Sequence, residues 1–113
     1  MKDADQPLTP AVFYILLALA PGKKHGYGIM RETRRLSDDT FRMGPATLYT
    51  TIQRLLELSM IEEISGPADA DSRRRYYQLT AEGRSALKLE VDRMESAVLK
   101  ARAMHIKTAR SRG

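Results

Sequence analysis

Thr47, Tyr49, Thr50, Gln53 and Arg54 fall within one short stretch, "GPATLYTTIQRLLEL" (residues 44–58), at positions a helix would turn outward. Each can donate a hydrogen bond, through a hydroxyl, an amide or a guanidinium, and no acid joins them until Glu57. A donor face of this kind suits an anionic surface, because phosphate oxygens and base edges accept what it offers. A carboxylate there would meet the phosphate field while losing its own hydration. Gln53 has the fork that reads adenine, and Arg54 suits guanine or a phosphate. A second group of donors, Arg73, Arg74 and Arg75, lies downstream in "DSRRRYYQLTAEGR".

Other chemistries find no footing. The chain has no cysteine, and His25 and His105 lie far apart without metal-ligand spacing. No histidine, carboxylate and nucleophile form a catalytic set, so neither an enzyme nor a cofactor is expected. "GKKHGYG" has glycines but lacks the Lys-Ser/Thr ending of a phosphate loop and the dinucleotide-binding spacing, and it reads as a tight turn. The 113 residues carry a net charge of +5, which favours a polyanionic partner without separating nucleic acid from an acidic membrane. "AVFYILLALA" has the length of a signal-peptide core, yet Asp3 and Asp5 precede it and Pro21 follows. It is also too short to span a bilayer. We read it as a buried helix, and expect a cytoplasmic protein with no membrane partner.

The elements that must position these donors follow from the spacing of apolar residues. A first helix is capped by Thr9, opened by Pro10 and closed at Pro21-Gly22, and it is apolar nearly all round. A second carries Ile29, Met30, Thr33 and Leu36 on one face, with Arg31, Arg34 and Arg35 outside it; "SDDT" ends it. The third begins at Gly44-Pro45 and buries Leu48, Ile52, Leu55 and Leu56. "IEEI" and "RRRYYQL" read as the strands of a hairpin around "SGPADADS", with Arg75, Tyr77 and Leu79 on one face and Arg74, Tyr76 and Gln78 on the other. Thr80 caps a long last helix, whose start Gly83 weakens. Leu87, Val91, Met94, Val98 and Ala101 follow on it at alternating steps of four and three, a coiled-coil-like seam of about two to three heptads. A basic tail with Lys100, Arg102, Lys107, Arg110 and Arg112 ends the chain.

Taken singly, each signal has a plainer reading. An acid-free face arises by chance, an arginine run blunts a strand edge, Tyr77 fills a core, His25 sits in a turn, and a basic tail is solvated. In this order they compose one architecture: mostly α with a small β-hairpin, a winged helix-turn-helix over residues 8–79 followed by a dimerisation helix and basic tail over residues 80–113.

The segment "GPATLYTTIQRLLELSMIE", the Gly-containing wing and "RRRYYQLTAEGRSAL" together resemble the PadR family of bacterial winged-helix transcriptional regulators, and "HGYGI" is similar to that family's approach to its second helix. The resemblance runs from about Leu8 to about Val98. It implies a homodimer held by the first and last helices, here through Phe13, Leu17, Leu87, Val91, Met94 and Val98, acting as a repressor on a palindromic double-stranded operator. It carries the DNA-facing role to Thr47, Tyr49 and Thr50, and the basic foot of the wing to Arg73, Arg74 and Arg75. Asp69 and Asp71 at the wing tip depart from this, since they would repel phosphate unless paired. The absence of tryptophan removes the stacked indoles with which some members bind flat drugs. A small-molecule effector is left open, with Phe13, Tyr14, Leu17 and Met94 as candidate pocket walls that serve equally well as interface core. The alternative, from a different class, is a winged helix whose basic face meets an acidic protein partner, with Tyr49 as its apolar anchor.

Overall fold

The computed structural model describes residues 6–66, 74–106 and 109. Helix α1 spans Pro10–Leu19, strand β1 Lys24–His25, α2 Gly26–Leu36, α3 Pro45–Glu57, β2 Ile61–Ile64, β3 Tyr76–Leu79 and α4 Ala81–Ala103. The expected caps are in place. Thr9 Oγ1 accepts the Val12 N–H at 3.2 Å, and Thr80 Oγ1 accepts the Gly83 N–H at 3.0 Å, so each satisfies a donor that a helix start leaves over.

The core lies where the three short helices meet the sheet. Ile15, Leu16 and Leu19 of α1, Ile29 of α2, Leu48, Ile52 and Leu55 of α3, and Ile61 and Tyr77 of the sheet are buried together. Each such side chain contributes roughly 1.5–3 kcal/mol when fully buried, so this cluster outweighs the weak propensity of any single element. The turn after α2 is held locally. Asp38 and Asp39 take left-handed φ values of 51° and 64°, and Asp39 accepts from both Arg34 at 3.0 Å and Arg42 at 2.6 Å. These bonds hold the Asp39 carboxyl below the ordinary aspartate pKa.

One expectation needs correction. The hairpin exists, but "GKKHGYG" is more than a turn: Lys24 pairs with Tyr77 and His25 with Tyr76, making a three-stranded antiparallel sheet in the order β1-β3-β2. On the other side of β3, Ile61 faces Leu79 and Ile64 faces Tyr76. A two-residue strand has no period to betray it, and only a partner distant in the chain makes it one. The returning strand is also shorter than expected, so Arg74 and Arg75 precede it as its foot.

The long helix divides in two. Gly83, Ala86, Leu87 and Glu90 are buried against the domain, whereas no residue from Val91 to Ala103 is. Glu90 Oε1 accepts the Leu8 N–H at 3.2 Å, tying the segment before α1 to the middle of α4. Leu87, assigned to the dimer seam from spacing, is only 7% exposed and belongs to this chain's own core. No helix among the described residues is long and apolar enough to cross a membrane.

Candidate nucleic-acid interface

Burial of Leu48, Ile52 and Leu55 fixes the roll of α3. At 3.6 residues per turn, Thr50 and Gln53 then lie opposite the core, Thr47 and Arg54 on one flank and Tyr49 on the other. All five are exposed, as the sequence requires. They do not behave alike. Arg54 borders a cleft of about 150 Å³ that also touches Gln6, Pro7 and Thr9, which places it beside the segment leading into α1. Tyr49 is 52% exposed, yet its ring lies against Gly26, and a methyl group at Gly26 would collide with the Tyr49 hydroxyl. Thr51, turned toward the Arg54 flank, bonds back to the Thr47 carbonyl at 2.7 Å.

The contact between Tyr49 and Gly26 brings α3 to a second cleft, of about 310 Å³, walled by His25, Tyr27, Tyr49, Arg74, Arg75 and Tyr77. His25 is the hinge of this site. It occupies the N-cap of α2, where its Nδ1 accepts the Gly28 N–H at 3.1 Å, while Arg74 Nη1 stands 3.2 Å from its Nε2. Its ring also meets the edge of Tyr76 at 5.4 Å. Burial first, then the charges of Arg74 and Arg31, hold the imidazole pKa below its ordinary 6.5. Tyr77, beneath the cleft, has its phenol pushed up by burial and by Glu63.

A pH dependence follows. Because the folded state binds the His25 proton less readily than the unfolded chain does, stability is lost as pH falls below 6.5 toward the lowered folded-state value. His25→Asn, which keeps a capping acceptor, is expected to remove this component. Thermal melts of both proteins from about pH 7.5 to about pH 5 measure the difference, which should narrow as pH falls. Parallel curves would show that the ring proton is not linked to folding.

The cations around α3 are not equally available. Arg35 is bound to Glu32 at 2.6 Å, and Arg34 and Arg42 to Asp39. Arg75 reaches Glu63 only at 3.9 Å, Arg31 stands 5.8 Å over the Tyr27 ring, and Arg74 has His25 rather than an acid beside it among the described residues. Of these described arginines, the ones that no acid holds closely therefore lie at the start of α2 and the foot of the wing. Arg73, the wing-tip acids Asp69 and Asp71, and the tail residues Lys107, Arg110 and Arg112 lie outside the described residues.

The structure thus brings Tyr49, Arg74 and Arg75 together and leaves Arg54 apart from them. It adds His25 and Tyr27, which spacing had left as turn residues. The signal that could have found His25 is its three-residue offset from Gly28, an N-cap spacing usually sought with Ser, Thr, Asp or Asn.

Three helices closed by a small sheet, with the third helix exposed and a strand pair beside it, define a winged helix-turn-helix protein. Residues 15–89 match the Transcriptional regulator PadR-like family, and the chain belongs to that family. An uncharacterized protein of Lysinibacillus sphaericus is 32% identical over 73 residues, covering 65% of this chain and 67% of that one. The structure is similar to that of a transcriptional regulator from Clostridium thermocellum, with a TM-score of 0.69 and 28% identity over 86% of this chain and 90% of that one. Bacillus subtilis PadR, solved in complex with operator DNA, gives a TM-score of 0.63 at 19% identity; the match covers 74% of this chain and 46% of that protein.

Proposed function

We propose that this chain is a cytoplasmic, homodimeric, sequence-specific repressor that binds a palindromic double-stranded DNA operator. The observation that carries the reading is the exposed face of α3, where Thr47, Tyr49, Thr50 and Gln53 offer donors and no carboxylate stands before Glu57. In this reading residues 8–79 form the DNA-binding unit, with Arg73, Arg74 and Arg75 at the wing foot, and Arg54 gripping the edge of the site. The operator complex of the B. subtilis protein suggests the same partner, but our assignment rests on the donor face.

Residues 80–113 supply the dimer. Val91, Met94 and Val98 are 42%, 45% and 44% exposed on the half of α4 that leaves the domain, and Phe13 and Leu17 of α1 are half-buried. A helix end with this apolar stripe gains stability only by packing on a partner. A twofold dimer sets its two recognition helices about 34 Å apart, one turn of duplex. Val91→Glu combined with Val98→Glu is expected to yield monomers, and sedimentation that still finds dimers would remove the seam from the interface.

The deciding experiment is fluorescence anisotropy of the protein against labelled duplex from upstream of its own gene and against a scrambled duplex, across salt concentrations. About 6 to 10 neutralised phosphates predict a loss of roughly three to five decades in affinity between about 50 and about 200 mM salt, with the native duplex preferred. Equal, weak binding to both duplexes would point instead to an acidic protein partner.

A further inference from the structure

We infer that the cleft between β1, α3 and the foot of the wing seats one backbone phosphate of the bound duplex, gripped by His25 Nε2–H, Arg74 and the Tyr49 hydroxyl. This rests on the DNA-binding reading above and assigns a place in it to a residue outside the recognition helix. Both ring nitrogens of His25 face donors: Gly28 N–H points at Nδ1 from 3.1 Å and Arg74 Nη1 at Nε2 from 3.2 Å. A neutral imidazole accepts at only one nitrogen. With Nδ1 serving as the helix cap, the proton sits on Nε2 and confronts Arg74. The other tautomer moves the conflict to Gly28, and a protonated ring would have it at both nitrogens.

In the free cleft at least one donor therefore faces another donor in every protonation state, and an oxyanion resolves the clash at Nε2. Placed between the two side chains, it accepts from Nε2–H and from the guanidinium together while Nδ1 keeps its cap. The surroundings fit the charge of such a ligand. Arg74 and Arg75 line the cleft, no carboxylate among the described residues does, and Tyr27 and Tyr49 border it. Glu63 is the acid that comes near, at 3.9 Å from Arg75. The position selects a phosphodiester over a free anion, because Tyr49 belongs to α3 itself. With Thr50 and Gln53 over the bases, the backbones would pass along the flanks of α3, and Tyr49 leans on Gly26 at one of those flanks. Charge-assisted bonds from a guanidinium and an imidazole N–H suit a phosphate oxygen.

The test uses the full-length protein and the duplex it binds most tightly, in a series of copies each carrying one neutral methylphosphonate linkage. One linkage in each half-site should weaken the wild type about tenfold when neutralised, and His25→Asn or Arg74→Gln by less than about twofold, since each variant has already lost part of the grip. The amide introduced by His25→Asn keeps an acceptor for the Gly28 N–H, and a thermal melt of each variant confirms that it folds. If every linkage costs the variants as much as the wild type, the inference fails while duplex binding stands. A wild type that binds no duplex sinks the proposed function and this inference with it. Inorganic phosphate, titrated while NMR follows the His25 ring nitrogens, separates the two sources of anion. A response to free phosphate without any linkage dependence would assign the cleft to a free anion and overturn the proposal.

Discussion

Thr47→Glu is expected to weaken duplex binding roughly a hundredfold or more and to leave the protein folded. The two effects separate because of where Thr47 sits. It is exposed in the first turn of α3, a helix with no acid in that turn and a Gly44 cap that offers no side-chain acceptor. Glutamate in a first turn answers the helix dipole, so the substitution leaves α3 unharmed or slightly more stable, by about 0.3–1 kcal/mol. In the groove the same charge faces phosphates. A like-charge contact at about 4 Å costs several kcal/mol at an effective dielectric near 20, and a dimer carries it twice. Anisotropy with the preferred duplex reads the first effect and a thermal melt the second. Normal binding by a folded Thr47→Glu protein would take the head of α3 out of the DNA contact.

The other large effect falls on stability. Gly83→Ala is expected to destabilise the chain by about 2–4 kcal/mol, lowering Tm by roughly 10 °C or more. From propensity alone the sign is the reverse, since alanine is better than glycine inside a helix by about 1 kcal/mol. The structure decides against propensity. A Cβ at Gly83 would run into the backbone carbonyl of Met60, whose carbon would lie 2.9 Å away, with Leu79 Cδ2 at 3.3 Å. Met60 is itself buried, and its carbonyl accepts the Thr80 N–H at 3.1 Å. Thr80 further donates through Oγ1 to Ser59 O at 2.6 Å while capping α4. The start of α4 is thus clasped to the junction of α3 and β2, and the obstructing carbonyl is backbone that cannot rotate aside to make room. Urea or thermal unfolding followed by circular dichroism gives the answer. An unchanged or raised Tm would mean that α4 can shift outward at little cost.

Gly83 also marks the limit of what spacing reveals. Its place near the start of a helix is legible in the sequence, where it reads as a weakness. What the sequence could not contain is the approach of a carbonyl from another element. The same limit applies to Leu87. Its steps of four and three with Val91, Met94 and Val98 are those of a seam, but the domain covers the first turns of α4 and claims Leu87 for its own core. Periodicity assigns a residue to a face and does not say which neighbour that face meets.

By itself the sequence determined the four helices, their caps at Thr9 and Thr80, the pairing of "IEEI" with a strand drawn from "RRRYYQL", though not where that strand begins, and the acid-free outward face of α3. These are legible because helix period, capping and strand alternation are carried by residues a few places apart. Only the tertiary structure decided that Lys24 and His25 form a strand on β3, that Tyr49 leans on Gly26, and that His25 stands between Gly28 and Arg74. Each of these joins parts of the chain distant in sequence, through contacts that exist only once the core of Ile15, Leu48, Ile61 and Tyr77 has closed. The donors of α3 are local in origin, while the cleft that adds His25 and Arg74 to them is a product of packing.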